Sequence, residues 1–233
     1  MSSVINTDGK WRLLLWCGVL AGPLFTLIWL VTGLNRPNYD PMRHPISSLA
    51  IGEFGWTQVV NFIITGILTL AFAFGLRAAL RPLGGSKWGV IWILAIGIGF
   101  LGAAAFVTDP VNGYPPGTPL LLMQPTIPGR LHRLFSALVF FGIPGAGFAL
   151  GGLFARHHDR AWATYSRVTA VAFIVLFVLT STGFAQVGPF AAYAGLLQRL
   201  TLITGLTWMT LLALRFLRLP SEAQAAERNK VTV

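Results

Sequence analysis

Charged residues are scarce in this chain: they make up 10% of its 233 residues, and only 7 of them are acidic. A soluble domain normally carries about 25% charged residues. Hydrophobic residues account for 55% of the chain and are concentrated in long apolar runs, which need lipid around them. The shortage of charge therefore excludes a soluble domain and indicates a polytopic membrane protein.

Further absences limit the chemistry that the chain can carry. The single cysteine, Cys17, excludes an intrachain disulfide and a thiolate metal cluster. The inner halves of the apolar runs hold hydroxyls such as Thr69 and Thr207 but no ionisable side chain, which argues against a proton-coupled pump. The chain also has no HExxH pair and no G-x-S-x-G elbow, so neither enzyme motif supports a hydrolase.

A hydropathy window of about 19 residues predicts an all-α bundle of transmembrane helices. Each span must be helical, because unpaired backbone groups cost several kcal/mol in lipid. We expect a transmembrane domain over residues 1–219 and a short polar tail over residues 220–233. The six expected spans are Trp11–Leu34, Trp56–Leu80, Trp88–Thr108, Leu131–Phe154, Tyr165–Gly183 and Leu196–Leu217.

The basic residues predict the orientation of these spans. Twelve of the 17 lysines and arginines fall on the side of the termini and five on the other side, so both termini should be cytoplasmic. The expected location is the plasma or inner membrane. The net charge of +10 does not indicate a nucleic-acid partner, because the basic residues lie singly or in small groups beside apolar runs.

The three outward connections hold most of the candidate functional residues. They are long and rich in Pro and Gly, as functional loops often are. Helices that begin at this face direct free N–H groups outward, and Arg130, Arg133 and Arg199 add full charges there, which would suit an anion. The predicted ligand-binding residues are Arg43, His44, Ser47, Ser48, Asp109, Arg130, His132 and Arg199.

Several of these residues have a second interpretation. Ser47 and Ser48 could cap a short interfacial helix "SLAIGEFGW", with Pro45 just before it. His44, Asp109 and His132 could instead bind zinc and leave one position open for water, as in a metal-dependent hydrolase. Ser48 could also be a nucleophile with His44 or His132 as its base. The residues alone leave these alternatives open.

The runs "NYDPMRHPISSLAIGEFGWTQVVNFIITGILTLAFAFGLRAAL", "DPVNGYPPGTP" and "GRLHRLFSALVFF" carry a family resemblance. From about Trp11 to Leu217 the chain resembles the bacterial and archaeal membrane family catalogued as domain of unknown function 998. The resemblance implies a six-helix prokaryotic membrane protein and no established activity.

The leading functional hypothesis is recognition of an amphiphilic or anionic molecule, such as a lipid headgroup, in an outward-facing polar pocket. One alternative is the metal-dependent hydrolase with zinc as cofactor, and whether the chain is an enzyme stays open. The other is a structural subunit of a membrane complex. Membrane lipids are the expected partners, and glycines such as Gly97 and Gly142 would permit close packing either within the bundle or against a membrane-protein partner or a second copy.

Overall fold

The structure is a computed structural model that describes residues 8–218. The predicted polar tail, residues 220–233, lies outside the described residues. The described part is helical, and its six long helices are α1 (Asp8–Leu34), α2 (Trp56–Ala79), α3 (Lys87–Ala105), α4 (Ile127–Arg156), α5 (Arg160–Phe184) and α6 (Ala194–Arg218). All six are long and apolar enough to cross a membrane, which confirms the predicted all-α, six-span class.

Two helices, α4 and α5, begin earlier than the hydropathy limits because polar residues cap their starts. α4 begins at Ile127 because the Thr126 hydroxyl accepts a hydrogen bond from the Gly129 N–H. α5 begins at Arg160 because the Asp159 carboxylate accepts one from the Trp162 N–H. A hydropathy window sees only apolar residues, so it placed both starts several residues too late.

The helices form a closed ring in chain order. Each helix packs against its neighbours in sequence, and α1 also packs against α6. The three long connections, residues 35–55, 106–126 and 185–193, therefore share one end of the bundle, which we call the long-loop end. The short connections, residues 80–86 and 157–159, lie at the opposite end with Asp8 and Arg218.

The interior of the ring is mostly apolar and tightly packed. Phe25, Phe72, Ile93, Phe173 and Trp208 have almost no exposed surface. Two of the glycines that the sequence indicated as close-packing positions contact neighbouring helices of the same chain. A Cβ added at Gly97 would meet the Leu70 side chain, and one at Gly142 would meet Ile96. These close approaches belong to the bundle itself.

A proline inside α1 leaves a backbone carbonyl without its helical hydrogen bond, and a neighbouring helix supplies another donor. Pro23 has no N–H, so the carbonyl of Val19 lacks its usual partner four residues later. The Thr210 hydroxyl of α6 lies 3.5 Å from that carbonyl oxygen and donates to it. The polar residue in a mostly apolar span thus has a structural role.

Residues 45–56 do not form the capped helix that their sequence suggested. Two 3₁₀ turns, Ile46–Ala50 and Glu53–Gly55, lead into α2 instead. Pro45 occupies the N-cap position of the first turn, and no side chain caps it. The capping role predicted for Ser47 and Ser48 is therefore wrong; Ser48 lies inside the turn, fully buried.

Candidate functional site: a cavity between α4 and α5

Arg199 ties the first long connection to the start of α6. Its guanidinium is buried and donates hydrogen bonds to the carbonyl oxygens of His44 at 3.0 Å and Gly195 at 2.8 Å. It also donates to the Tyr39 hydroxyl and lies 5.0 Å above the centroid of the Trp29 ring. These contacts use both N–H groups of one terminal nitrogen and one of the other, while the buried Nε has no hydrogen-bond partner among the described residues.

His44 lies in the same first connection, packed against the rings of Tyr39 and Tyr114. Its Nδ1 accepts a hydrogen bond from the Asp40 N–H at 2.9 Å. Burial lowers the pKa of His44 below its ordinary value of 6.5, and the nearby Asp40 carboxylate opposes that shift. Burial likewise raises the pKa of Tyr39 to about 12. Burial thus favours the neutral form of both groups.

Asp109 holds the start of α4 in place. Its Oδ1 accepts from the Thr126 hydroxyl at 2.6 Å, and its Oδ2 accepts from the Thr126 N–H at 3.2 Å. The carboxylate lies so close to Gly129 that a Cβ there would collide with it. Asp109 is half-buried, so it fixes the helix start while keeping part of its surface open.

His132 follows on the first turns of α4, and its ring has one defined tautomer. Its Nδ1 lies 2.7 Å from the Phe106 carbonyl oxygen and 3.2 Å from that of Ala103. Both oxygens are acceptors, so Nδ1 carries the proton and Nε2 keeps its lone pair in the neutral ring. Within residues 8–218, Nε2 has no hydrogen-bond partner.

A cavity of about 390 Å³ opens between α4 and α5 at the long-loop end. Its polar side chains include Ser47, Asp109, His132, Arg133 and Gln198. Its apolar lining comes from the second connection and from the facing sides of the two helices: Leu120, Leu121, Leu122, Ala137, Phe140, Phe177 and Phe184. A smaller cavity of about 40 Å³ shares His132, Ser136 and Gln198 with it.

Glycines allow α4 and α5 to approach closely on one side of the cavity only. Toward the end of the bundle opposite the long-loop end, a Cβ at Gly147 would lie 3.0 Å from the Ser166 carbonyl oxygen, and one at Gly151 would lie 3.2 Å from that of Ala163. α4 and α5 therefore approach closely in that half. The rings of Phe140 and Phe177 then stack with centroids 4.6 Å apart, and the cavity lies beyond them.

The structure brings together only part of the predicted site. Ser47, Asp109 and His132 line the cavity. Arg43 and Arg130 are exposed on the surface, Ser48 is buried within the first connection, and His44 and Arg199 belong to the hydrogen-bond network described above. The ligand roles assigned to these five residues stay predictions, and none of the five lines the cavity.

Several of the residues that sequence reasoning missed lie on α4 beside residues that it had singled out. Ser136 follows His132 by one helical turn, and Ala137 and Phe140 follow Arg133, whose charge the sequence had already indicated, on the adjacent strip of the helix. This spacing was a usable signal once His132 was singled out. Gln198 and Ser181 could not be assigned in the same way, because only the folded ring places α5 and α6 beside α4.

The metal-site hypothesis gains no support from the geometry. Among residues 8–218, no three His, Cys, Asp or Glu side chains group so that they could hold a metal ion. His44 points Nδ1 at the Asp40 N–H, and His132 uses Nδ1 for the carbonyls of Phe106 and Ala103. Zinc binding by His44, Asp109 and His132 stays a prediction, which metal analysis of the purified protein would test.

Comparison with known proteins places the chain by family. A family model described as "Protein of unknown function (DUF998)" matches residues 19–215. No curated protein and no solved structure matches the chain. Because the family match extends from α1 to α6, the chain belongs to the DUF998 family of proteins of unknown function.

Proposed function

We propose that the protein binds a membrane amphiphile, such as a lipid, in the cavity between α4 and α5, with the long-loop end facing outward. The observation that carries this proposal is the lining, which is polar near the start of α4 and apolar between the helices. A volume of about 390 Å³ lies within the range of about 300–1,000 Å³ that is usual for small-molecule sites. A headgroup and the first part of an acyl chain fit such a space.

The position of the cavity supports entry from the bilayer. It lies where α4 and α5 separate, above the stacked rings of Phe140 and Phe177. Leu120 and Leu121, which line it from the second connection, are 50% and 48% exposed. Exposed leucines beside a polar cavity suit the boundary between headgroups and acyl chains, where an amphiphile has both of its environments.

Two neighbouring arginines provide a matched test of this proposal. Both arginines are exposed, but Arg133 lines the cavity, whereas Arg130, one turn nearer the start of α4, does not. We expect Arg133→Ala to weaken phospholipid binding by about tenfold, because it removes a charge-assisted contact, and Arg130→Ala to leave binding near that of the wild type. Native mass spectrometry with added dioleoyl phospholipid measures both. Equal effects of the two variants would contradict the proposal.

The apolar part of the cavity has its own paired variants. Ala137 lines the cavity, and Leu134 on the same helix is 61% exposed. Ala137→Trp should fill the space between α4 and α5 and abolish lipid retention, because the added ring occupies the acyl-chain path. Leu134→Trp should leave retention unchanged. Retention that survives Ala137→Trp would locate binding elsewhere on the bundle.

A further inference from the structure

The polar end of the cavity defines what kind of headgroup it can hold. We infer, on the basis of the proposed amphiphile site, that the ligand is a phospholipid whose headgroup carries N–H donors beside the phosphate, as a phosphoethanolamine zwitterion does. The inference goes beyond lipid binding because it selects among phospholipids that share the same acyl chains.

The first step is the chemistry of His132. The Phe106 and Ala103 carbonyl oxygens hold the proton on Nδ1, so Nε2 can only accept a hydrogen bond. His132 is 4% exposed and lines both cavities. Nε2 has no hydrogen-bond partner within residues 8–218, so a ligand donor in the cavity could supply one.

The second step is the Asp109 carboxylate, which also lines the cavity. The Thr126 hydroxyl and N–H use two of its acceptor positions. A carboxylate has roughly four such positions, so others remain for a ligand. Asp109 and His132 thus present acceptors together, and a quaternary ammonium has no N–H to give them.

The third step is the balancing charge. Arg133 is the one cation and Asp109 the one anion among the residues that line the cavity, so the lining has no net formal charge. Gln198 adds a donor, because its Oε1 already accepts from the Ile46 N–H at 2.8 Å and its amide N–H groups remain. A phosphate can meet Arg133 and Gln198, while a primary ammonium can meet Asp109 and His132. A zwitterion with N–H donors matches both halves.

The test is a methylation series on the wild-type protein, which needs no variant that must fold. Dioleoyl phosphatidylethanolamine, its N-methyl and N,N-dimethyl forms, and dioleoyl phosphatidylcholine share their chains and phosphate but lose N–H donors in turn. Binding is measured by native mass spectrometry or by competition in nanodiscs. We expect affinity to fall along the series, by about tenfold from the first lipid to the last, the usual effect of losing a hydrogen bond to a charged group.

The outcomes separate the inference from the proposed function. Equal affinity for all four lipids would overturn the headgroup inference and leave amphiphile binding standing, whereas no binding of any lipid would overturn both. Tighter binding of dioleoyl phosphatidylglycerol than of the ethanolamine lipid would also overturn the inference, in favour of an anion site. In addition, Asp109→Asn should reduce the preference for ethanolamine over choline, because the amide oxygen can still accept from the Thr126 hydroxyl, whereas the negative charge and one acceptor oxygen are lost.

Discussion

Replacing Arg199 by methionine separates a structural role from a ligand role. The substitution keeps a long unbranched side chain but removes hydrogen bonds to the His44 and Gly195 carbonyl oxygens and to Tyr39. Hydrogen bonds from a charged group contribute about 1.5–3 kcal/mol each, and burying the guanidinium costs several kcal/mol in desolvation. The net loss of stability should therefore be about 2–4 kcal/mol.

The loss should be concentrated in the first long connection, because Arg199 fixes it against α6. Hydrogen exchange measured by mass spectrometry reports opening of residues 36–55 directly. A loss of 2 kcal/mol corresponds to about 30-fold faster exchange there. Arg130→Met, on an exposed side chain, is the control and should change nothing. Unchanged exchange in Arg199→Met, together with lost lipid binding, would refute the structural role and make Arg199 a ligand residue.

Three further variants test other parts of the fold. His44→Asn should reduce the loss of stability that occurs as pH falls below about 6.5, because burial lowers the histidine pKa in the folded state and the unfolded chain then binds more protons; melting curves at several pH values measure this. Gly147→Val should cost about 1–3 kcal/mol in detergent unfolding, because the added atoms meet the Ser166 carbonyl. Arg215→Lys should cost about 1 kcal/mol, because it keeps the ion pair to Asp159 but loses the stacking on aromatic rings. A pH dependence of stability that His44→Asn leaves unchanged would contradict the role given to His44. Melting temperatures that Gly147→Val or Arg215→Lys leave unchanged would contradict the corresponding contacts.

The six spans could be predicted because lipid imposes one simple requirement on each of them. A run of about 20 apolar residues must be helical in lipid, and a hydropathy window detects such runs. Every predicted span therefore overlaps a helix of the structure. The helix starts at Ile127 and Arg160 depend on individual caps from Thr126 and Asp159, which an average over a window cannot resolve.

The site was harder to predict because polar residues at one end of a bundle can serve either the fold or a ligand. Arg199 and His132 look alike in sequence, since each is a charged or titratable residue near the start of a span. In the structure, Arg199 gives its donors to backbone and Tyr39, whereas His132 keeps one ring nitrogen for the cavity. The difference depends on which carbonyls lie nearby, and chain order alone does not encode that.

The most direct measurement of amphiphile binding is photo-crosslinking with a phosphatidylethanolamine analogue that carries a photoactivatable group on its acyl chain. Peptide mapping by mass spectrometry then locates the labelled residues. We expect labelling to concentrate on residues 133–140 of α4 and 177–184 of α5, which line or border the cavity, and to fall when unlabelled lipid competes. Labelling spread evenly over the lipid-facing sides of all the helices, with no competition, would contradict a binding site between α4 and α5.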